Sequence, residues 1–243
     1  FARGRGIHPL ETLYLSDFNK KVSVDARDVR LAFNADDLAL IARHPIWSGS
    51  KSRGRRNEPG EIVLRDGLYW GPVLAAYTGA RREELLALAA NDIVLDHDVP
   101  HILIRPNHNR NLKNPTSKRT IPIHSRLLEL GFAEHARAQQ VAGSLDLFPE
   151  LKPESKTGSF GGSMYKGWKR ALDQQLGRSA AKKSFHSFRH YVVTTLRHQL
   201  EVPKNVVTSI VGHAHHDETD GRYADHLPVE LLVDGIERIP ISF

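Results

Sequence analysis

Four short stretches carry residues suited to handling a phosphate. In TGARREEL, residues 78–85, a turn leads into a helix start, whose free N–H groups and positive dipole end favour an anion. Arg81 adds a planar fork able to grip two phosphate oxygens, and Glu84 reads as a carboxylate complementing the dipole. KNPTSKRTIPI, residues 113–123, sets a lysine in a turn between strands, from which an ammonium can reach a site and lend a proton. In HSFRHYVVTTL, residues 186–196, His186 and Arg189 stand three apart and share a helix face near its N-terminus. IVGHAHHDETDGRYADH, residues 210–226, gathers His213, His215, His216, Asp217 and Tyr223. Each stretch also has a plainer reading: a surface helix start, a solvated hairpin tip, a helix with incidental polar residues. The His cluster admits a metal reading too, but it has no HExxH and its neighbours sit at phases that do not converge on one ion.

The elements that must position these residues follow from periodicity and punctuation. Asn34 can cap a helix carrying Leu38, Leu40 and Ile41, which ends before Pro45. SGSKSRGRRNEPGE, residues 48–61, reads as a mobile basic loop, suited to phosphate or simply solvated. Leu68 to Tyr77 is a buried helix broken at Thr78-Gly79, and a second helix is expected from Arg81 to Ala90. DIVLD and HILIRP, separated by polar residues, predict a hairpin, and TIPI a third strand whose Pro122 favours an edge. The rest is expected to be helical: Arg126 to Gln140, Met164 to Leu176, His186 to Gln199, Pro203 to Val211 and Pro228 to Glu237. The fold class predicted is mainly α with a small three-stranded antiparallel β-sheet.

Composition narrows the partners. The 243 residues include 34 Lys+Arg against 28 Asp+Glu, a net charge of +6, and the pI is near 9.6. Such a balance is common among globular proteins but favours a polyanion, nucleic acid above all. The absence of cysteine excludes disulfide scaffolds, Cys-ligated zinc and thiol nucleophiles. No apolar run approaches the roughly 20 residues of a membrane helix, so no membrane partner is expected. FARGRGIHPLE lacks the apolar core of a secretory signal, and the missing initiator Met predicts a piece of a longer chain.

In this order the four stretches resemble the tyrosine recombinase (phage integrase) family, across roughly residues 32 to 240; YTGARREEL and RYADH are similar to bacterial mobile-element integrases. The TG-x-R-x-x-E-L pattern is matched by Thr78, Gly79, Arg81, Glu84 and Leu85. The hairpin pattern is matched by Lys113, Ser117, Arg119, Ile121 and Pro122, with Lys118 as the alternative lysine. H-x-x-R is matched by His186 and Arg189, the aliphatic-Gly-His pattern by Val211, Gly212 and His213, and the nucleophile by Tyr223, preceded by Arg222. Tyr223 lies ten positions after His213, one more than in many members, so the loop between them is expected to be arranged differently.

The resemblance implies the fold of DNA breaking-rejoining enzymes over residues 32–243, with residues 1–31 a linker or the remnant of an N-terminal core-binding domain. It implies a site-specific DNA recombinase or integrase that cleaves and rejoins strands through a 3′-phosphotyrosyl link, without metal, ATP or other cofactor. A phenol with a pKa of about 10 needs a cationic pocket and a proton acceptor to attack at neutral pH. The resemblance gives Arg81 and Arg189 the scissile phosphate, His213 a non-bridging oxygen, His186 the Tyr223 proton, and Lys113 the leaving 5′-oxygen. It implies double-stranded DNA as partner, a tetramer on paired DNA sites, and action on DNA in a bacterial cytoplasm. A type IB topoisomerase-like enzyme and a non-catalytic DNA-binding descendant of the fold stay open beside it. PVELLVDGIERIPI, after the nucleophile, is amphipathic and is expected to pack on its own core or on a neighbouring protomer.

Overall fold

A computed structural model describes residues 30–112, 117–154, 158–212, 227–240 and 243. Lys113, His213 and Tyr223 lie outside the described residues, as do His215, His216, Asp217 and residues 1–29. In chain order the elements are α1 (Ala35–Ala42), α2 (Pro45–Ser48), β1 (Ser50–Ser52), β2 (Arg55–Pro59), α3 (Gly67–Thr78) and α4 (Arg82–Leu86). They continue with β3 (Ile93–Val94), β4 (His101–Ile104), β5 (Arg119–Pro122), α5 (Ser125–Glu129), α6 (Phe132–Val141) and α7 (Gly161–Leu176). The last are α8 (His186–Thr194), α9 (Lys204–Val211) and α10 (Val233–Glu237).

The centre is α3. It is apolar all round, so no face of it suits water, and every residue except Leu68 is buried. Asp66 caps its start by accepting from the Tyr69 N–H, and Gly79, at φ 62°, ends it in the left-handed region. The Thr78 hydroxyl donates to the Leu74 carbonyl at 2.7 Å and accepts from the Ala80 N–H at 3.1 Å. That turn aims the chain towards Arg81. Helix α8 packs on α3, and its Phe188 ring lies 4.8 Å from Phe33, 5.1 Å from Trp168 and 5.5 Å from Phe185.

The sheet has the expected form: antiparallel, in the order β3-β4-β5, with Ile102 facing Ile93 on one side and Ile121 on the other. Pro122 sits in the edge strand β5, where its missing N–H costs no ladder bond. Helix α1 starts at Asn34, which forms a capping box with Asp37.

Several elements depart from expectation. Residues 50–59 form the hairpin β1–β2 rather than a mobile loop, and they do so on polar anchors instead of an apolar stripe. The buried Ser50 hydroxyl donates to the Pro45 carbonyl at 2.9 Å, and Arg56 donates to Asp66 at 2.6 Å and to the Leu64 carbonyl at 3.1 Å. Helix α4 stops at Leu86, well before Ala90, because the Asp92 carboxylate captures the Ala89 N–H at 3.0 Å. The helix expected from Arg126 to Gln140 is two, α5 and α6, divided at Gly131 with φ 87°. The helix from His186 ends in a π turn over Thr195–Gln199, and α10 is preceded by a 3-10 turn over Val229–Leu232.

The segment around α10 packs on its own chain. Leu232, Ile236 and Ile239 are buried, the Tyr191 hydroxyl donates to the Pro240 carbonyl at 3.3 Å, and Arg126 donates to the Phe243 carbonyl at 3.0 Å. Since the buried Phe188 ring packs against Phe33 ahead of α1, Trp168 of α7 and Phe185, Phe188→Ala is expected to cost about 3–5 kcal/mol. The measurement is urea denaturation against wild type.

Candidate active site

Three arginines meet at the C-terminal end of α9. A helix leaves its last carbonyls without internal partners, and they carry the negative end of its dipole. Here arginine satisfies them. Arg119 Nε donates to the Ile210 carbonyl at 2.9 Å. Arg189 Nη1 donates to the Val211 carbonyl, and to the Gly79 carbonyl at 2.9 Å. Arg189 Nη2 and Arg81 Nη2 both reach the Gly212 carbonyl, each at 3.4 Å. Arg81, from the turn before α4, and Arg189, from α8, therefore converge on a single oxygen.

Glu84 makes the convergence possible. Its Oε1 accepts from Arg81 Nη1 at 2.7 Å, and its Oε2 from Arg119 Nη2 and from the Arg81 backbone N–H, both at 2.8 Å. Burial pushes the Glu84 carboxyl up, but the charge and hydrogen bonds of Arg119, with both Arg81 donors, outweigh it and hold it at about 2. At this helix start the Arg81 N–H already serves Glu84, and α4 has only five residues. The cationic groups gathered here are the guanidinium groups of Arg81, Arg119 and Arg189.

Arg189 is buried, whereas the Arg81 side chain is 43% exposed. Burial, then the like charges of Arg81 and Arg119, pulls the Arg189 guanidinium down to about 9, still cationic at neutral pH. His186 and Arg81 line one cleft of about 400 Å³. Burial lowers His186 to about 4, helped by His190, whose ring centroid is 4.9 Å away, and by Arg189, Arg30 and Arg81. A neutral imidazole beside two guanidinium groups can accept a proton next to a bound anion.

Of the six residues expected to do chemistry, Arg81, His186 and Arg189 are brought together; Lys113, His213 and Tyr223 lie outside the described residues. Lys118 is exposed and lines a small cleft with Pro106, Asn111 and Leu112. Sequence reasoning missed the part played by Glu84, first read as a dipole complement, and by Arg119, matched to a pattern but given no role. A signal was present: Arg119 and Ile121 share the inward face of β5, and an arginine on an apolar face needs a buried carboxylate.

The phage integrase family model matches residues 72–229, which takes in all six of these positions. No curated protein matches the chain. Among solved structures, the XerH site-specific recombinase in a post-cleavage complex with palindromic difH substrate is similar at 19% identity and a TM-score of 0.48, over 77% of this chain and 47% of that one. The Tn1549 transposon integrase in complex with transposon right end DNA is similar at 17% identity and a TM-score of 0.46, over 92% of this chain and 69% of that one. The chain spans about half the length of the XerH chain it matches.

Two outcomes follow from this geometry. With a folded value of about 2 against an ordinary 4.5, Glu84 contributes stability that is complete above pH 4.5 and lost as pH falls towards 2; the shift corresponds to roughly 3 kcal/mol. Glu84→Gln is expected to flatten that part of the stability–pH curve and to destabilise the protein by about 3–5 kcal/mol at neutral pH, since Arg119 is left buried without its carboxylate. Urea melts between pH 2 and 7 read both effects. Gly212 has φ 70°, and a Cβ there would lie 2.7 Å from Arg119 Nη1. Gly212→Ala is expected to cost more than about 1–2 kcal/mol, the left-handed penalty alone, in the same assay.

Proposed function

The chain belongs to the phage integrase family, and we propose that it is a site-specific DNA recombinase that breaks and rejoins strands through a covalent tyrosyl intermediate. The observation that supports this most is the convergence of Arg81 and Arg189 on one oxygen, the Gly212 carbonyl, beside a neutral His186. A non-bridging phosphate oxygen is the anionic counterpart of that carbonyl, and guanidinium forks suit it.

On this reading Arg81 and Arg189 hold the scissile phosphate and offset charge as its geometry changes. The Tyr223 oxygen attacks phosphorus, its proton passes to His186, and a new phosphotyrosyl bond forms as the bond to the 5′-oxygen breaks. Lys113 supplies the proton that the leaving 5′-oxygen needs, and His213 hydrogen-bonds a non-bridging oxygen. The 3′-phosphotyrosyl link conserves the phosphodiester, so attack by another 5′-hydroxyl reseals the strand without ATP or a metal. Double-stranded DNA is the partner, and a tetramer on paired sites the working assembly.

The test is a pool of nicked suicide duplexes of varied sequence, incubated with the chain in EDTA and resolved in denaturing gels. Wild type is expected to give a protein–DNA adduct and Tyr223→Phe none. An adduct in the variant would remove Tyr223 as nucleophile. Duplex binding without any adduct would make the chain a DNA-binding descendant, and plasmid relaxation without paired sites would make it a topoisomerase.

A further inference from the structure

The cleft that holds Arg81 and His186 continues past them, lined also by Arg30, Arg82, Glu83 and Tyr165. Arg82 is fixed there from two sides. Its guanidinium carbon sits over the Tyr165 ring, 5.0 Å from the centroid, a cation–π seat. Its Nε donates to Glu83 Oε1 at 3.0 Å. Glu83 is in turn held by the two residues that precede α7, accepting from the Ser159 hydroxyl at 2.9 Å and from the Phe160 N–H at 2.9 Å. Gly161 permits the close approach, because a Cβ at that position would strike both Arg82 Nε and Glu83 Oε1.

This seat uses the Nε and the face of the guanidinium but not its fork. The two terminal nitrogens of Arg82 have no partner among the described residues, and the side chain is 32% exposed. An arginine kept only for packing needs no such orientation. One held by a ring, a carboxylate and an adjoining glycine is arranged to meet a planar or tetrahedral anion. Three arginines, Arg30, Arg81 and Arg82, line the cleft against the single carboxylate of Glu83, so its lining carries more positive than negative charge.

We propose that Arg82, seated on Tyr165 and locked by Glu83, binds a second phosphodiester of the same strand, next to the one at Arg81 and Arg189. The inference rests on the DNA-cleaving reading and extends it: a polynucleotide presents a neighbouring phosphate wherever it presents one, and the cleft has a second fork to receive it. The second contact positions the strand and carries no base information.

The test is binding to a duplex of random sequence, titrated with NaCl. Each phosphate contact contributes about 0.9 to the slope of log affinity against log salt. Arg82→Ala is expected to lower the slope by about that amount. Tyr165→Leu removes no charge, yet is expected to lower it too, because the seat is lost, while Tyr165→Phe keeps the wild-type slope. A Tyr165→Leu variant with the wild-type slope would overturn the subsite, leaving Arg82 as diffuse charge, and so would an unchanged slope in Arg82→Ala. If wild type shows no salt-dependent duplex binding, the DNA reading fails along with the subsite; if only the variants fail to differ from wild type, the subsite alone is lost.

Discussion

The last carbonyls of α9 are the point on which the arrangement of this molecule turns. Ile210, Val211 and Gly212 present three oxygens that a helix end cannot satisfy internally; Arg119 takes the first, Arg189 the second, and Arg189 and Arg81 share the third. Arg119 comes from the sheet, Arg189 from α8, and Arg81 from the turn after α3. A helix C-terminus thus becomes the junction of three elements that share little sequence proximity. Gly212 is the first residue beyond α9, so the same bonds fix where that helix ends.

Bringing three guanidinium groups together has an electrostatic cost that the site offsets only in part. Glu84 balances one charge completely, with its two oxygens divided between Arg81 and Arg119. Arg189 has carbonyl dipoles but no carboxylate among its described partners, and its neighbours lower its proton affinity. The same field, after burial, keeps His186 neutral. A bound anion would offset these like charges, which is what the proposed phosphate site asks of the cluster. Stability alone would be served by fewer charges.

What was legible in the sequence was whatever rests on local rules. The Asn34 cap, the apolar α3 ended by Gly79, and the three-strand order with Pro122 at its edge all follow from propensity and alternation. The hairpin at residues 50–59 was illegible because its anchors, Ser50 on Pro45 and Arg56 on Asp66, are polar and non-periodic. The early end of α4 depends on Asp92 reaching the Ala89 N–H, a competition that no window over residues 81–90 weighs. Within the candidate site, motif order picked out Arg81, His186 and Arg189, which the structure brings near one another. The partnership of Glu84 with Arg119 spans 35 positions and emerges only when β5 lies beside α4.

Arginine is required here for a reason that goes beyond charge. A guanidinium carries five donors in a fixed plane, whereas an ammonium carries three on a single point. Arg189 uses its two terminal nitrogens to staple Gly79, Val211 and Gly212, and Arg81 divides its own between Glu84 and Gly212. The described bonds do not involve the Nε of either residue. Each can hold the backbone frame while keeping donor capacity for an incoming oxygen, so the frame need not come apart when an anion binds. A lysine at either position would have to choose between the two tasks. The residues that build the junction are therefore the same ones proposed to hold a phosphate, with structural support and anion binding drawing on different donors of one guanidinium.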